Sequence, residues 1–129
     1  MEKERFEYLV SQIFRAALEV HKAIGPGLLE SIYEYCLIKE LQGRSLPAAR
    51  QVKVPLYYKG EDTGKDFFLD IIVENEIIIE VKACEEGIKP VHQAQLLSYL
   101  KLADKRIGLL INFNVVLLKD GFKRIVNNY

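Results

Sequence analysis

Three segments of the chain repeat apolar residues at intervals of three and four positions, the spacing of one face of an α-helix. They predict helices at residues 4–20, 28–41 and 91–102. The turn Gly25-Pro26-Gly27 separates the first two helices, and Pro90 directly precedes the third, where proline suits a first helical turn. The apolar face of the first helix consists of Phe6, Leu9, Val10, Ile13, Phe14, Ala17 and Leu18.

Five other segments have the patterns of β-strands. Residues 51–58 alternate apolar and polar side chains, and Pro55 places this strand at a sheet edge or in a bulge. Residues 67–73 and 77–81 are apolar on both faces, which predicts a hairpin of buried strands. Residues 107–113 and 122–126 add two more strands. The order α-α-β-β-β-α-β-β predicts an α/β or α+β fold with a mixed sheet covered by helices.

Composition fits one globular domain over residues 1–129, because half of the residues are hydrophobic and can form a core without disulfides or zinc. Cys36 and Cys84 lie far apart and predict reduced thiols in a cytoplasmic protein. No apolar run is long enough to span a membrane. Eighteen basic residues balance eighteen acidic ones, which excludes a generally basic nucleic-acid binder. Residues 101–124 nevertheless hold a local excess of basic residues, Lys101, Lys105, Arg106, Lys119, Lys123 and Arg124.

Charged residues interrupt the two strands that otherwise look most buried: Asp70 lies in the first, and Glu80 and Lys82 lie in and after the second. If residues 74–76 form a three-residue loop, counting outward places Asp70 directly opposite Glu80. Lys82 lies on the same face as Glu80, because side chains two apart on a strand share a face. A two-residue loop would instead put Asp70 and Glu80 on opposite faces.

Two directly opposed carboxylates repel each other unless positive charge lies between them. Mg²⁺ or Mn²⁺ would supply that charge, with oxygen ligands from Asp70, Glu80 and a backbone carbonyl such as that of Val81. The alternative is a buried ion pair between Lys82 and one carboxylate, with the other carboxyl group protonated or exposed at the sheet edge.

Asp70, followed after nine residues by Glu80-Val81-Lys82, resembles the D-(x)n-(D/E)-x-K signature of the PD-(D/E)XK nuclease superfamily. The predicted elements from the second helix onward have the αβββαβ order of that superfamily's core. The segment 27–33 resembles the GxxExxY motif that names a small family within it, and segments 92–100 and 108–114 agree with this assignment. The resemblance extends over residues 10–126 and implies a restriction-endonuclease-like fold with an extra N-terminal helix.

The resemblance also implies roles for individual residues. Asp70 and Glu80 would bind Mg²⁺ or Mn²⁺, and Lys82 would orient or activate the attacking water. Glu30 matches an acidic site residue on the first core helix. Gln95 and Tyr99, one turn apart, resemble the QxxxY element that lies beside the catalytic acids in RecB-like branches. The implied activity is hydrolysis of phosphodiester bonds in nucleic acid, with DNA favoured over RNA. Because the sequence has no helix-turn-helix, zinc-finger or aromatic-rich strand motif, we expect contacts to the nucleic-acid backbone with little sequence specificity.

Three further polar residues are predicted to be structural. We expect His21 to favour the dipole of the first helix, His92 to cap the third helix, and Tyr33 to pack with its hydroxyl hydrogen-bonded. Two other functions stay open: a non-catalytic nucleic-acid or protein-binding module, and a structural protein with a buried ion-pair network that does not respond to metal. The small size favours a homodimer or a protein partner that delivers the substrate.

Overall fold

The computed structural model describes residues 2–129 and contains the predicted elements in the predicted order. The helices are α1 (Lys3–Ile24), α2 (Glu30–Gly43) and α3 (Pro90–Ala103). The strands are β1 (Ala48–Tyr58), β2 (Glu61–Val73), β3 (Ile77–Lys82), β4 (Ile107–Asn112) and β5 (Phe122–Val126), and a short 3-10 helix occupies Leu118–Gly121.

The five strands form one mixed sheet in the order β1-β2-β3-β4-β5. Strands β3 and β4 are parallel, and every other neighbouring pair is antiparallel. A parallel pair needs a long crossover connection, and α3 forms it. The result is the predicted mixed α+β sheet flanked by helices.

The helices cover both faces of the sheet. Ile77, Ile79 and Val81 of β3 pack with α1 and α2, whereas Ile78 packs with Leu96 and Leu100 of α3. Residues of β3 therefore need apolar side chains on both faces, which explains the unbroken apolar run. No helix within residues 2–129 is long and apolar enough to cross a lipid bilayer.

The predicted element ends differ from the structure mainly where polar residues continue an element. Helix α1 extends to Ile24, four residues beyond its predicted end, and stops because Gly25 adopts a left-handed φ of 72°. Strand β2 begins at Glu61, because exposed polar residues there pair with β1 through their backbones. The hairpin β1–β2 closes through Lys59 and Gly60, both with positive φ, as a two-residue turn requires.

Two expectations about the sheet, on the position of β1 and on the loop between β2 and β3, agree with the structure. Strand β1 is an edge strand, and its pairing with β2 shifts register between Pro55 and Tyr57. In the hairpin β2–β3, Val73 pairs with Ile77, so residues 74–76 form the three-residue loop. That register is the one that places Asp70 opposite Glu80.

Candidate active site

Asp70 and Glu80 lie where the β2–β3 ladder ends. Backbone pairing continues as far as Ile71 and Ile79. At the next position, Glu80 Oε2 accepts a hydrogen bond from the Asp70 N–H (3.0 Å), and Asp70 Oδ2 accepts one from the Val81 N–H (2.8 Å). The two carboxylates thus replace backbone acceptors, and each is held by the strand opposite to its own.

Both carboxyl groups lose hydration in this position. Burial, followed by the charge of Asp70, raises the pKa of Glu80 to about 8, and only 5% of Glu80 is exposed. Burial also raises the pKa of Asp70, although the hydrogen bond from Val81 opposes the rise. The protein alone therefore does not supply enough positive charge to keep Glu80 ionised beside Asp70 near neutral pH.

Lys82 is half-buried at the end of β3, and among residues 2–129 it has no carboxylate within ion-pair distance. The alternative prediction of a direct ion pair between Lys82 and one carboxylate is therefore wrong. The charge of Lys82 still acts on the site, since it lowers the pKa of both Asp70 and Glu80. Its ammonium group is free to meet another anion.

Asn112, which the sequence pattern did not single out, holds the backbone that follows Lys82. Asn112 pairs with Lys82 across β3 and β4 and is buried. Its side chain accepts hydrogen bonds from the N–H groups of Cys84 (2.9 Å) and Asn114 (3.1 Å) and donates one to the Cys84 carbonyl (3.0 Å). A polar residue that follows directly on the apolar run of β4 was the available signal.

Helix α2 contributes two acidic residues to the neighbourhood. Glu30 is exposed, and its Oε2 accepts a 3.3 Å hydrogen bond from the N–H of Ala83, directly after β3. Glu34, which the sequence reading did not place in the site, is buried. Its charge raises the pKa of both Asp70 and Glu80, so it lies within electrostatic reach of them. Glu34 shares the helical spacing of Leu37, Ile38 and Leu41, and a charge on that apolar face was the missed signal.

Helix α3 contributes Tyr99, but no contact brings Gln95 to the carboxylates. The Tyr99 ring stacks on Phe67 with ring centres 4.8 Å apart. Burial, followed by the charges of Glu80 and Asp70, raises the pKa of Tyr99, which places its hydroxyl within electrostatic reach of the pair. Gln95 is exposed, and its side chain forms no hydrogen bond within residues 2–129.

The residues predicted to be structural are placed accordingly. Tyr33 is fully buried, stacks on Phe113, donates a 2.6 Å hydrogen bond to the Gly25 carbonyl and accepts one from the Leu28 N–H. His92 Nδ1 accepts a 3.0 Å hydrogen bond from the Lys89 N–H and so caps α3. His21 lies in the last turn of α1, and its Nε2 is 2.8 Å from the Val115 carbonyl oxygen.

The donor set at Asp70 and Glu80 fits a hard divalent cation with few protein ligands. No three His, Cys, Asp or Glu side chains within residues 2–129 are grouped to hold a metal together. Asp70 Oδ1 and Glu80 Oε1 accept no hydrogen bond from the described part of the chain, so one oxygen of each carboxylate is available. Asp70 and Glu80, with a carbonyl such as that of Val81, would hold Mg²⁺, which prefers oxygen ligands and is typically bound through one or two carboxylates.

The predicted basic excess is smaller in the structure than in the sequence. Arg124 forms a two-bond pair with Glu7 at 2.8 Å, and Arg106 lies 3.6 Å from Asp104. Lys101, Lys119 and Lys123 stay exposed. Any binding of a phosphate backbone therefore draws on few surface charges outside the site.

Comparison with known proteins supports the same reading. A family model of the PD-(D/E)XK nuclease superfamily, whose members typically use divalent metals, matches residues 7–125. No curated protein matches the chain. The crystal structure of SSO0001 is similar in fold, with a TM-score of 0.54 and 22% sequence identity; the match covers 97% of this chain and 61% of that one. Because the family model covers most of the sequence, the chain belongs to the PD-(D/E)XK nuclease superfamily, with a restriction-endonuclease-like fold.

Proposed function

We propose that this protein is a Mg²⁺- or Mn²⁺-dependent nuclease that hydrolyses phosphodiester bonds in nucleic acid, with DNA as the favoured substrate over RNA. The observation that carries the proposal is the pair Asp70–Glu80. Both carboxyls are partly or fully buried and bonded to backbone N–H groups, and each has one oxygen free of hydrogen bonds from residues 2–129. A structural ion pair would place the Lys82 ammonium on one of them, and it does not lie there.

In this proposal Asp70, Glu80 and the Val81 carbonyl hold the ion, which supplies Lewis acidity and a water of lowered pKa. Lys82 holds the attacking water beside the scissile phosphate and stabilises the charge that grows on it. Glu30 and Tyr99 flank the pair from α2 and α3. Gln95 would contact the substrate or the site from α3, a role that needs its exposed side chain to move inward.

We also propose membership of the GxxExxY family, because each lettered residue of the motif has a structural reason. Gly27 has a φ of 94°, which a side chain would strain, Glu30 bonds the backbone after β3, and Tyr33 closes the turn between α1 and α2. Contacts with nucleic acid would be made to its backbone. The few exposed lysines of one chain give only a small surface for nucleic acid. A homodimer or a protein partner would supply the rest of the binding surface.

The metal site can be tested without knowing the substrate. We expect Mn²⁺ and Mg²⁺ at millimolar concentration to raise the Tm of the wild type, because an ion that binds only the folded state stabilises it by mass action. Asp70→Asn should abolish the rise, and Asp66→Asn, which removes an exposed carboxylate of the same strand, should retain it. A wild-type Tm that does not respond to either ion would contradict the metal site and favour a non-catalytic binding module or a structural protein.

Cleavage is tested with labelled single- and double-stranded DNA and RNA in the presence of Mn²⁺. Lys82→Ala should lower the rate by about a hundredfold or more while the Mn²⁺-induced rise in Tm persists. Lys65→Ala, an exposed lysine of β2, is the matched control and should cleave at the wild-type rate. Tight binding of a polymer without cleavage by the wild type would contradict the nuclease proposal.

A further inference from the structure

Gln51 has an unusual backbone conformation for its place in the fold. Its φ is +49°, in the left-handed region that non-glycine residues seldom occupy. The other non-glycine residues with positive φ in the described chain lie in turns, loops or helix ends, whereas Gln51 lies within strand β1. A conformation of this kind persists only where the surrounding structure holds it.

Glu34 of α2 is the group that holds Gln51. The Gln51 amide donates hydrogen bonds to both oxygens of the Glu34 carboxylate, at 3.2 and 3.1 Å. The preceding residue, Arg50, donates a third bond from Nε at 3.0 Å. A buried carboxylate therefore receives donors from two consecutive residues of β1, and these bonds fix the backbone at this point.

In both strands of the β1–β2 hairpin, the side chains change from one face of the sheet to the other at this position. In β2, Phe67 and Leu69 pack in the cluster on the α3 face of the sheet, whereas Ile71 and Val73 pack in the cluster on the α1 and α2 face. Regular alternation would put all four side chains on one face. Strand β1 changes in the same way, from Ala48 on the α1 and α2 face to Val52 and Val54 on the α3 face.

The reversal is centred on Asp70. Arg50 pairs with Ile71 and Val52 pairs with Leu69, so Gln51 and Asp70 are the two residues between these pairs. On the side of β2 that faces β3, Asp70 is the first residue, counted from the β2–β3 turn, whose N–H bonds a side chain of β3 and not its backbone. The change of face thus coincides with the position where backbone pairing between β2 and β3 ends and Asp70 forms its hydrogen bonds with Val81 and Glu80.

We propose that the left-handed conformation of Gln51, held by Glu34, positions Asp70 as a metal ligand. Gln51 and Glu34 are then positioning residues, which act on the ion through the backbone of β1 and β2. The inference rests on the proposed function, since it needs an ion bound at Asp70 and Glu80. It explains why a buried acidic residue of α2 bonds the strand next to the site and not the site itself.

A pair of substitutions separates backbone conformation from side-chain contact. Gln51→Gly and Gln51→Val both remove the amide, but glycine adopts positive φ freely and a β-branched residue resists it. Binding of Mn²⁺ alone is measured by titration calorimetry. We expect the Kd of Gln51→Gly to stay within about threefold of wild type and that of Gln51→Val to rise about tenfold or more, since less of the protein is in the binding-competent conformation.

Lys59 provides the matched control, because it also has positive φ, at 51°, but lies in the turn at the far end of the same hairpin. Lys59→Gly and Lys59→Val should differ in Tm and bind Mn²⁺ as the wild type does. If Gln51→Val does not fold, Gln51→Ala replaces it, with an expected weakening of about threefold relative to Gln51→Gly.

Two results would overturn the inference: wild-type Mn²⁺ affinity in folded Gln51→Val, or equal weakening in the valine and glycine variants. A wild type that binds no Mn²⁺ would instead overturn the proposed function. The two failures are therefore distinguishable in one set of titrations.

Discussion

Glu80 shows how a single residue can be unfavourable for the fold and suitable for chemistry. Its carboxyl is buried beside another carboxyl, and its pKa is raised from 4.5 to about 8. A metal-free protein near neutral pH therefore keeps a proton there or contains an under-compensated charge. Positive charge brought by an ion would remove the penalty, which couples metal binding to stability.

This coupling predicts the pH dependence of stability without metal. Between pH 4.5 and about 8 the carboxyl ionises in the unfolded chain and stays protonated in the folded protein. The free energy of unfolding then falls as pH rises, by up to about 1.4 kcal/mol per pH unit from this group. Glu80→Gln removes that loss, so in urea unfolding with chelator we expect its advantage over wild type to grow from pH 5 to pH 8.

The control for this experiment is Glu85→Gln, which changes an exposed carboxyl in the loop after β3. Its stability should follow that of the wild type at both pH values. An advantage of Glu80→Gln that is equal at the two pH values would show that the ionised state of Glu80 does not destabilise the fold.

Tyr33 carries a second residue-scale prediction. Its hydroxyl bonds the Gly25 carbonyl and the Leu28 N–H, and phenylalanine would leave both groups without that partner. We expect Tyr33→Phe to lower the free energy of unfolding by about 1–3 kcal/mol, measured in urea. Tyr35→Phe, on the exposed side of the same helix, should change it by less than about 0.5 kcal/mol.

At the scale of elements, the position of α3 depends on a glycine in the strand beneath it. A Cβ atom at Gly108 of β4 would lie 2.8 Å from three side-chain atoms of Leu96, and Leu96 is fully buried. The absence of a side chain at Gly108 lets α3 approach the sheet. Tyr99 follows Leu96 by three residues on the same helix, so a displacement of α3 at Gly108 would also displace Tyr99.

Gly108→Ala should therefore displace α3 and lower the free energy of unfolding by about 1–3 kcal/mol. Gly43→Ala is the matched control, because a Cβ there meets no atom within 4 Å and Gly43 ends helix α2. It should be neutral or slightly stabilising. Equal Tm values for Gly108→Ala and wild type would mean that Leu96 can move without cost.

At the scale of the whole molecule, the first helix and the last residues are held together by Glu7. Its carboxylate accepts two bonds from Arg124 of β5 and one of 2.6 Å from the Tyr129 hydroxyl. The hydrogen bond from Arg124, followed by that from Tyr129, lowers the pKa of Glu7 from 4.5 to about 2. Residues more than a hundred positions apart are joined in this way.

The Glu7 contacts stabilise the fold above pH 4.5 and are lost as pH falls toward 2, because the unfolded chain takes up the proton first. Glu7→Gln should therefore lose stability relative to wild type at pH 6, by less than about 1 kcal/mol because the pair is exposed, and match it near pH 2. Glu19→Gln, an exposed residue of the same helix, should show no such difference in thermal unfolding.

From the sequence alone the element order could be predicted, and a three-residue loop predicted that Asp70 lies opposite Glu80, although a two-residue loop was also allowed. These follow from local periodicity and from counting along a hairpin, both of which need only nearest neighbours in the chain. Tyr33, His92 and Pro55 were also predictable, since the hydrogen bonds of Tyr33 and His92 and the backbone restriction of Pro55 are local in the chain. The resemblance to the PD-(D/E)XK superfamily also rested on short segments, whereas membership is shown by the match of the family model over residues 7–125.

The surroundings of Asp70 and Glu80, in contrast, depend on the tertiary structure. Four features depend on packing between α2, β1, β2 and β4: the lack of an ion pair at Lys82 within residues 2–129, the burial of Glu34, the contacts of Asn112 and the change of sheet face at Gln51. Predictions from strand alternation assume a regular pleat. They therefore miss a residue such as Gln51, whose left-handed conformation moves the following side chains to the other face of the sheet. Burial and long-range hydrogen bonds depend on contacts between elements that are distant in the chain. The local pattern of apolar and polar residues does not predict which of these elements contact each other.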